Sequence, residues 1–354
     1  MSRHPTTRSK LSVLELVYPP LSNQEAVWME ADPEVEAILR SSDFYMIVGR
    51  AEARYVDVAF DEAIERLTLR FLVGDSFSDD VVIDLMSLPT FASHQLTNYQ
   101  IEIGEKNIRI WTGTPNAEGS EVIDWFTTEK LLWQRSRGVP GIAAFDRYRE
   151  AATYDLLYVG IAKVGDTFER LFKNGHKTRS TILANEPQRR SGARVTDETY
   201  LLCFKVEPLG ITTFATDHAF SDKDLNPSFE RKRIVADAEK AFVHLLDPGY
   251  NAQKFKNYPR GADGLYASSY DRYGYSLIEN VTLQAPAATF RGGRDPATGY
   301  ISNVGDSIFV EGDTVRLLVS GVDFPTDYAD QVRAGVSHDA LFGGLAPSPA
   351  EADS

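Results

Sequence analysis

The sequence has a single cysteine, Cys203, so it can form neither an intrachain disulfide nor a zinc cluster built on cysteines. It also lacks any run of about 18 apolar residues, the length that marks a membrane-spanning helix. The N-terminal segment is polar and has no apolar core of signal-peptide length. These absences predict a soluble cytoplasmic protein with no membrane partner.

The chain also has few basic residues for its number of acidic ones. The net charge of −14 excludes a surface that binds nucleic acid everywhere. Two stretches reverse this balance: residues 161–195 contain eight basic and three acidic side chains, and residues 231–260 contain seven and three. A basic region inside an acidic protein is typical of a local anion site. Solvated helices with clustered charges would give the same pattern.

Glycine, proline and the apolar pattern divide the chain into regions. Residues 11–137 mix strand and helix signals and form an N-terminal recognition or regulatory domain of the α/β or α+β class. Within it we predict a hairpin around Gly104–Asn107 and a helix over 121–133. A break near 138–141 opens the middle domain, 138–260. A β-rich region, 261–342, and a disordered tail, 343–354, follow.

The middle domain has the element order β-β-α-β-α. Its predicted strands are 141–145, 155–161 and 199–206. The first helix begins near Asp166 or Thr167, either of which can act as an N-cap. The second helix runs over 222–246 and ends at Asp247-Pro248-Gly249. The whole chain is therefore predicted to be α+β.

Polar residues with useful chemistry occur at fixed places in this order. Tyr158-Val159-Gly160 ends a strand, and Arg170 lies on the outer face of the next helix, where it could bind a phosphate. Glu239 lies at the edge of the apolar stripe of the second helix, which suits a metal ligand. Each residue has an alternative reading. Tyr158 could be an ordinary strand tyrosine, Arg170 a solvated helix residue, and Glu239 a partner in a surface ion pair.

Together these residues resemble the GIY-YIG nuclease family over about a third of the chain. Val139–Phe145 is similar to the family's opening strand, and Tyr158-Val159-Gly160 to its second motif. Arg170 and His176 resemble the helix arginine and the histidine after it. Glu239 and Asn251 resemble the metal-binding glutamate and the closing asparagine.

The resemblance implies a small mixed or antiparallel sheet with flanking helices, and an endonuclease that uses Mg²⁺ or Mn²⁺ to cut DNA. Glu239 would hold the metal, and Arg170 would stabilise charge on the phosphate. Tyr158, with a pKa lowered by nearby cations, would take a proton from water. His176 would assist Tyr158 or hold a phosphate, and Asn251 would orient the phosphate or Glu239. The alternative readings are a capping or core histidine at 176 and an asparagine at 251 that hydrogen-bonds the turn after the helix.

Basic side chains near these residues are candidates for contact with the DNA backbone. They are Lys163, Lys173, Lys177, Arg179, Arg189, Arg190, Arg194 and Lys254. The N-terminal region is the candidate contact for a partner protein or a second subunit. A regulated nuclease of this kind suits restriction or anti-phage defence.

Ala143 stands where the family has a tyrosine, which leaves several alternatives open. Tyr148 or Tyr154 could supply the missing hydroxyl in space, or that role could be lost. If it is lost, the chain is a nucleic-acid-binding module without catalysis. A regulatory scaffold with no affinity for DNA is the third hypothesis.

Overall fold

A computed structural model describes residues 6–94, 99–162, 165–173, 175–215 and 230–324. The fold is α+β, with most of its regular structure in strands and fewer residues in helices, as the sequence predicts. Lys163, residues 222–229 of the predicted second helix, and the tail 343–354 lie outside the described residues. No helix in the described ranges is long and apolar enough to cross a membrane.

Strands are numbered in chain order. They are β1 (Thr7–Leu16), β2 (Leu21–Ser22), β3 (Phe44–Gly49), β4 (Ala53–Asp61), β5 (Arg66–Val73), β6 (Phe77–Asp84), β7 (Gln100–Ile103), β8 (Asn107–Trp111), β9 (Val122–Thr127), β10 (Ile142–Ala143), β11 (Thr153–Ile161), β12 (Thr199–Thr213), β13 (Arg272–Leu277), β14 (Thr282–Gln284), β15 (Thr289–Arg291), β16 (Ser307–Glu311) and β17 (Thr314–Leu318).

Helices are numbered in the same way. They are α1 (Asn23–Met29), α2 (Pro33–Leu39), α3 (Pro89–His94), α4 (Thr128–Ser136), α5 (Tyr148–Ala151), α6 (Lys177–Asn185), α7 (Val195–Glu198) and α8 (Arg231–Leu246). A 3₁₀ turn covers Leu85–Ser87, and a π-helical turn covers Glu169–Lys173.

The largest sheet, sheet A, has ten strands in the order β15-β14-β11-β3-β12-β1-β13-β16-β17, with β2 also paired to β12. The pairs β1–β13 and β11–β14 are parallel, and the other pairs are antiparallel. Its strands come from all three regions predicted from the sequence. Sheet A is therefore larger than the small sheet expected within 138–260, and the domain boundaries at 138 and 261 stay predictions.

Sheet A is covered on both faces, which explains the continuous burial of β3. Phe44, Met46 and Val48 pack with α8 in one core, and Tyr45 and Ile47 belong to another core on the opposite side. Alternate side chains of a strand point to opposite faces, so both kinds of position must be apolar here. We call these sides the α8 face and the α6 face, since Ile182 of α6 packs on the second.

Residues 50–152 form an inserted unit between β3 and β11, which are neighbours in sheet A. The unit contains sheet B, in the order β10-β6-β5-β4, and sheet C, in the order β7-β8-β9. Both sheets contribute to one apolar core, in which Phe71, Ile110 and Phe126 are fully buried.

Several predicted elements are confirmed. The strand before Gly160, the third strand, the second helix from Arg231 onward and the hairpin of β7 and β8 all appear near the expected positions. The helix predicted over 121–133 is wrong in its first half, because 122–127 form β9. The run Val122–Thr127 is rich in β-branched and aromatic residues, which favour a strand. The helix begins only after Thr127, whose side chain accepts from the Lys130 amide at 3.2 Å.

Candidate functional site

Two tyrosines meet on the α6 face of sheet A. In the antiparallel pair of β11 and β3, Gly160 lies opposite Tyr45, and Tyr158 lies two residues before Gly160. The rings of Tyr45 and Tyr158 have centroids 6.1 Å apart. A Cβ at position 160 would lie 2.6 Å from both rings, so only glycine permits this approach.

The segment that was expected to form the opening strand lies elsewhere in the structure, and a different tyrosine lies beside Tyr158. The predicted strand 141–145 reduces to β10, which pairs with β6 in sheet B, so Ala143 lies opposite Val82 and not beside Tyr158. Tyr148 is buried in the core of the inserted unit.

Tyr154 does not replace the missing hydroxyl either, because its own hydroxyl accepts from Arg50 at 3.2 Å. Sequence reasoning missed Tyr45 because its strand precedes β11 by the whole inserted unit. The available signal was a tyrosine inside the apolar run Phe44–Val48.

Arg170 reaches the same two hydroxyls from the π-helical turn. Phe168 and Leu171 anchor this segment in the α6-face core, and the Asp166 carboxylate accepts from the Glu169 amide at 2.9 Å. The predicted N-cap is thereby confirmed. Arg170 is exposed, which confirms its predicted outward position. Its guanidinium interacts with the hydroxyls of Tyr45 and Tyr158, and this interaction raises the pKa of Arg170.

His176 lies behind the tyrosines and is 4% exposed. Its Nε2 is 2.8 Å from the Tyr45 hydroxyl, and its ring is edge-on to the Tyr158 ring with centroids 5.5 Å apart. Its Nδ1 accepts from the Arg179 amide at 3.0 Å and thus caps α6. Burial, with the nearby charges of Arg170 and Arg179, lowers the pKa of His176 to about 4. The ring is therefore neutral at physiological pH.

The pKa of Tyr158 differs from expectation. Burial and then the Glu239 carboxylate raise it, while the Tyr45 hydroxyl and Arg170 oppose the rise. The expected lowering by nearby cations is wrong for this state of the protein, because the carboxylate and the loss of solvent outweigh them. Burial and then the Tyr158 hydroxyl raise the pKa of Tyr45, while Arg170 opposes the rise.

Glu239 is half-buried on α8, as the stripe of that helix predicts. The body of α8 packs on the α8 face through Ala238 and Phe242, whereas Tyr158 belongs to the α6 face. The Glu239 carboxylate nevertheless acts on the pKa of Tyr158. The pKa of Tyr158 is therefore affected both by the Glu239 carboxylate and by the Arg170 guanidinium.

Asn251 holds the strand that carries Tyr158. Beyond Asp155, β11 has no strand beside it on the side away from β3 within the described residues. There the Asn251 side chain accepts from the Val159 amide at 2.9 Å and donates to the Val159 carbonyl at 2.8 Å. The Tyr250 amide donates to the Leu157 carbonyl at 3.1 Å. Both ends of the Asn251 amide are thus used to position β11.

The predicted DNA-contacting side chains differ in how far they are engaged within the protein. Lys177 and Arg194 are exposed, and Lys173 is exposed with Glu30 at 3.5 Å. Arg179 donates to Asn23 and to the Leu171 carbonyl. Arg190 lies 3.5 Å from Asp75 of the inserted unit. Lys163 lies outside the described residues.

The other two candidates stabilise loops. Arg189 forms ion pairs with Asp155 at 3.2 Å and with Glu186 at 2.9 Å. Lys254 binds Asp247 and the Pro248 carbonyl after α8. Among the residues that the structure describes, the exposed cations nearest to Arg170 along the sequence are therefore Lys173 and Lys177.

The described donor set is compatible with a hard divalent cation. No group of three or more His, Cys, Asp or Glu side chains in the described ranges could hold a metal ion. A soft or transition metal that requires such a set does not fit. Mg²⁺ commonly binds one or two carboxylates plus water and substrate phosphate, so the single carboxylate of Glu239 is compatible with it.

Comparison of the chain with known protein families, with curated proteins and with solved structures gives no match.

Proposed function

We propose that the site on the α6 face hydrolyses phosphodiester bonds in DNA with the help of a divalent cation. The observation that carries the proposal is the position of Tyr158. It lies beside a second tyrosine, interacts with an exposed arginine, and is acted on by the carboxylate of Glu239. A phosphoryl-transfer site needs a base, a fixed positive charge and a ligand for a hard cation, and these residues provide all three.

The order of elements supports a GIY-YIG-like arrangement. β3, β11, the helical segment that ends with α6, β12 and α8 follow one another as β-β-α-β-α, with the inserted unit between the first two. β3 lies between β11 and β12 and is antiparallel to both. In this arrangement β3 would be the opening strand, and Tyr45 would be the tyrosine that is absent at position 143.

In the proposed reaction the Tyr158 oxygen, as phenolate, takes a proton from the attacking water. The water oxygen then forms a bond to phosphorus, and the bond from phosphorus to the 3′ oxygen breaks. That oxygen takes a proton from solvent, so the products are a 5′-phosphate and a 3′-hydroxyl. Arg170, exposed and fixed at its base, stabilises the charge that gathers on the phosphate.

Glu239 is the residue that would hold Mg²⁺ or Mn²⁺. When bound there, the cation would neutralise the carboxylate that raises the pKa of Tyr158 and would polarise a phosphate oxygen. Asn251 acts indirectly, because its side chain fixes the backbone of Val159, the residue next to Tyr158.

Charge argues for local contact with DNA. The chain has a net charge of −14, so electrostatic attraction is restricted to the surface near Arg170, Lys173 and Lys177. Because each phosphate contact releases counterions, binding should weaken steeply with salt. A binding module without catalysis is the second candidate, which Ala143 favours. Tyr45 supports the nuclease instead, because it lies beside Tyr158.

Plasmid nicking in Mg²⁺ tests the proposal. We expect Glu239→Ala and Arg170→Ala to lower the nicking rate by roughly a hundredfold or more, because each removes charge from the transition state. A chelator should abolish nicking by the unmodified protein. Glu62→Ala and Lys232→Ala, which remove exposed charges elsewhere, serve as matched controls and should cut normally.

Equal cutting by all five proteins, or cutting that persists in the chelator, contradicts the assignment. Salt-sensitive DNA binding with no cutting under any metal condition would instead support the binding module. Neither binding nor cutting would leave the scaffold hypothesis.

A further inference from the structure

The hydrogen bonds of His176 fix the direction of a proton chain in the site. Its Nδ1 accepts from the Arg179 amide at 3.0 Å, so this nitrogen carries no proton. A neutral imidazole has one N–H, which must then be on Nε2. Nε2 is 2.8 Å from the Tyr45 hydroxyl, and it can only donate to that oxygen.

The next bond follows from the first. Tyr45 accepts from His176 and interacts with Arg170, which is a donor only, so the Tyr45 proton is left for another acceptor. The neighbouring acceptor is the Tyr158 hydroxyl oxygen, whose ring lies at 6.1 Å. A Cβ at position 160 would lie 2.6 Å from both tyrosine side chains, so Tyr45 and Tyr158 are held close to each other.

We propose that His176 is a positioning residue that never exchanges a proton during catalysis. By capping α6 through Nδ1, it is held as an Nε2–H donor, and it directs the Tyr45 proton toward Tyr158. The inference rests on the proposed function for its catalytic meaning, but the tautomer itself does not. It replaces the two roles expected from the sequence, proton transfer to Tyr158 and direct phosphate binding, and burial at 4% exposure leaves little surface for the second.

The surroundings of the ring support a fixed neutral state. The charged groups that act on it are Arg170, from the π-helical turn, and Arg179, from α6, and both disfavour a second proton. From sheet A it faces Tyr45 and Tyr158, which are uncharged when protonated. The described contacts of His176 include no carboxylate that would stabilise an imidazolium.

The direct test is the tautomer of His176 measured by ¹⁵N NMR on histidine-labelled protein. The chain has six histidines, and a His176→Asn sample identifies the signal by its loss. We expect the Nε2–H form from pH 5 to pH 8. An Nδ1–H form, or titration within that range, overturns the inference whether or not the protein cuts DNA.

Two substitutions separate the capping role from the donor role. His176→Asp and His176→Asn both keep an oxygen that can cap α6, but only Asn also carries an N–H donor. We expect both variants to melt within a few degrees of the unmodified protein. The nicking rate of His176→Asp should be at least about tenfold below that of His176→Asn.

The pH profile distinguishes positioning from acid–base catalysis. If His176 only positions Tyr45, the unmodified protein and His176→Asn have the same shape of log(kcat/KM) against pH between pH 5 and pH 8. An inflection that disappears in His176→Asn, or equal rates for the Asp and Asn variants, contradicts the proposal. If no variant cuts DNA, the proposed function fails, and the NMR measurement still decides the tautomer.

Discussion

At the scale of single residues, the site depends on close approach. Gly160 lets two tyrosine rings and a histidine share the space beside one strand, because any Cβ at this position would overlap both tyrosines. The result is a half-buried Tyr158 whose ring lies beside Tyr45 and His176 and whose pKa is affected by Arg170. Such a group is poor as a base when the carboxylate of Glu239 is unneutralised, because burial and that charge both favour the protonated form.

The raised pKa of Tyr158 gives a prediction for the pH dependence of nicking. Since the phenolate is the active form and its pKa is above the ordinary value, the active fraction grows as pH rises through the neutral range. We expect log(kcat/KM) to rise between pH 6.5 and pH 8.5, with a slope of up to about one per pH unit. Steady-state nicking at saturating Mg²⁺ measures it.

Tyr158→Phe is the matched variant for this measurement, because it removes the hydroxyl and keeps the ring. Its residual activity should not rise with pH in the same way. A profile that is flat for the unmodified protein, or equally steep for Tyr158→Phe, would assign the proton transfer to another group.

At the scale of elements, the open part of β11 is closed by a turn rather than by a strand. The segment after α8 supplies Tyr250 and Asn251 to the backbone of Leu157 and Val159. Tyr250 continues the contact, since its hydroxyl donates to Glu186 at 2.7 Å. The end of α8 and the end of α6 are therefore joined across the edge of sheet A, next to the site.

Asn251→Ala should destabilise the fold as well as the site. The substitution leaves the amide and the carbonyl of Val159 without their partners, which costs about 1–3 kcal/mol. Urea unfolding measures the loss, and faster hydrogen exchange of the Val159 amide locates it. Asn257→Ala, at an exposed position of the same loop, should change stability by less than about 0.5 kcal/mol.

Unchanged stability of Asn251→Ala with lost nicking would give a different result. It would mean that Asn251 acts on substrate directly, the role expected from the sequence, and that water replaces its bonds to Val159 without cost.

The local pattern of the sequence predicts elements better than their partners. The strand before Gly160 and the helix that ends at Asp247 follow from apolar periodicity and a stop signal, both of which are local. The pairing of β3 with β11 cannot be read locally, because the inserted unit separates them. The segment 139–145 resembled the opening strand in composition, but 142–143 pair with β6 in sheet B, and the tyrosine beside Tyr158 is Tyr45 of β3.

The candidate site was therefore predictable in part. Tyr158, Arg170 and His176 lie close together in the sequence, and the structure also brings them together in space. Glu239 was placed by the stripe of its helix, and its charge does reach Tyr158. A capping role for His176 was one of the alternatives that the sequence left open, and its bond to the Arg179 amide confirms it. Tyr45 required the sheet register, so spacing along the chain could not find it.

At the scale of the whole molecule, a buried arginine at the start of the inserted unit connects helix α4 of that unit to sheet A. Arg50 follows β3, and its Nη2 donates to both carboxylate oxygens of Glu129 in α4, at 2.6 and 2.9 Å. The guanidinium also lies over the rings of Tyr154 and Tyr200 in sheet A, at 4.8 and 5.1 Å from their centroids. Arg50 and Glu129 are both buried, so removing either one leaves the charge of the other buried without compensation.

Arg50→Met should lower the free energy of unfolding by about 3–5 kcal/mol, because Glu129 is then buried and unpaired. The double variant Arg50→Met/Glu129→Leu should recover most of that loss, since no charge is left in the core. Denaturant unfolding of the single and double variants gives the coupling between the two residues.

Arg70→Met is the control for this comparison. Its side chain is about half exposed and pairs with exposed Asp57 and Asp80, so the expected cost is below about 1 kcal/mol. A single variant Arg50→Met as stable as Arg70→Met would show that the inserted unit is held to sheet A by its apolar contacts alone.

The place where the inserted unit joins sheet A has one further consequence. Gly49 at the end of β3 is paired with Asp155 near the start of β11, so the unit enters and leaves the sheet at adjacent points. Neighbouring antiparallel strands can be joined by a two-residue turn. A different module, or a short turn, could therefore occupy this junction without changing the register that brings Tyr45 to Tyr158.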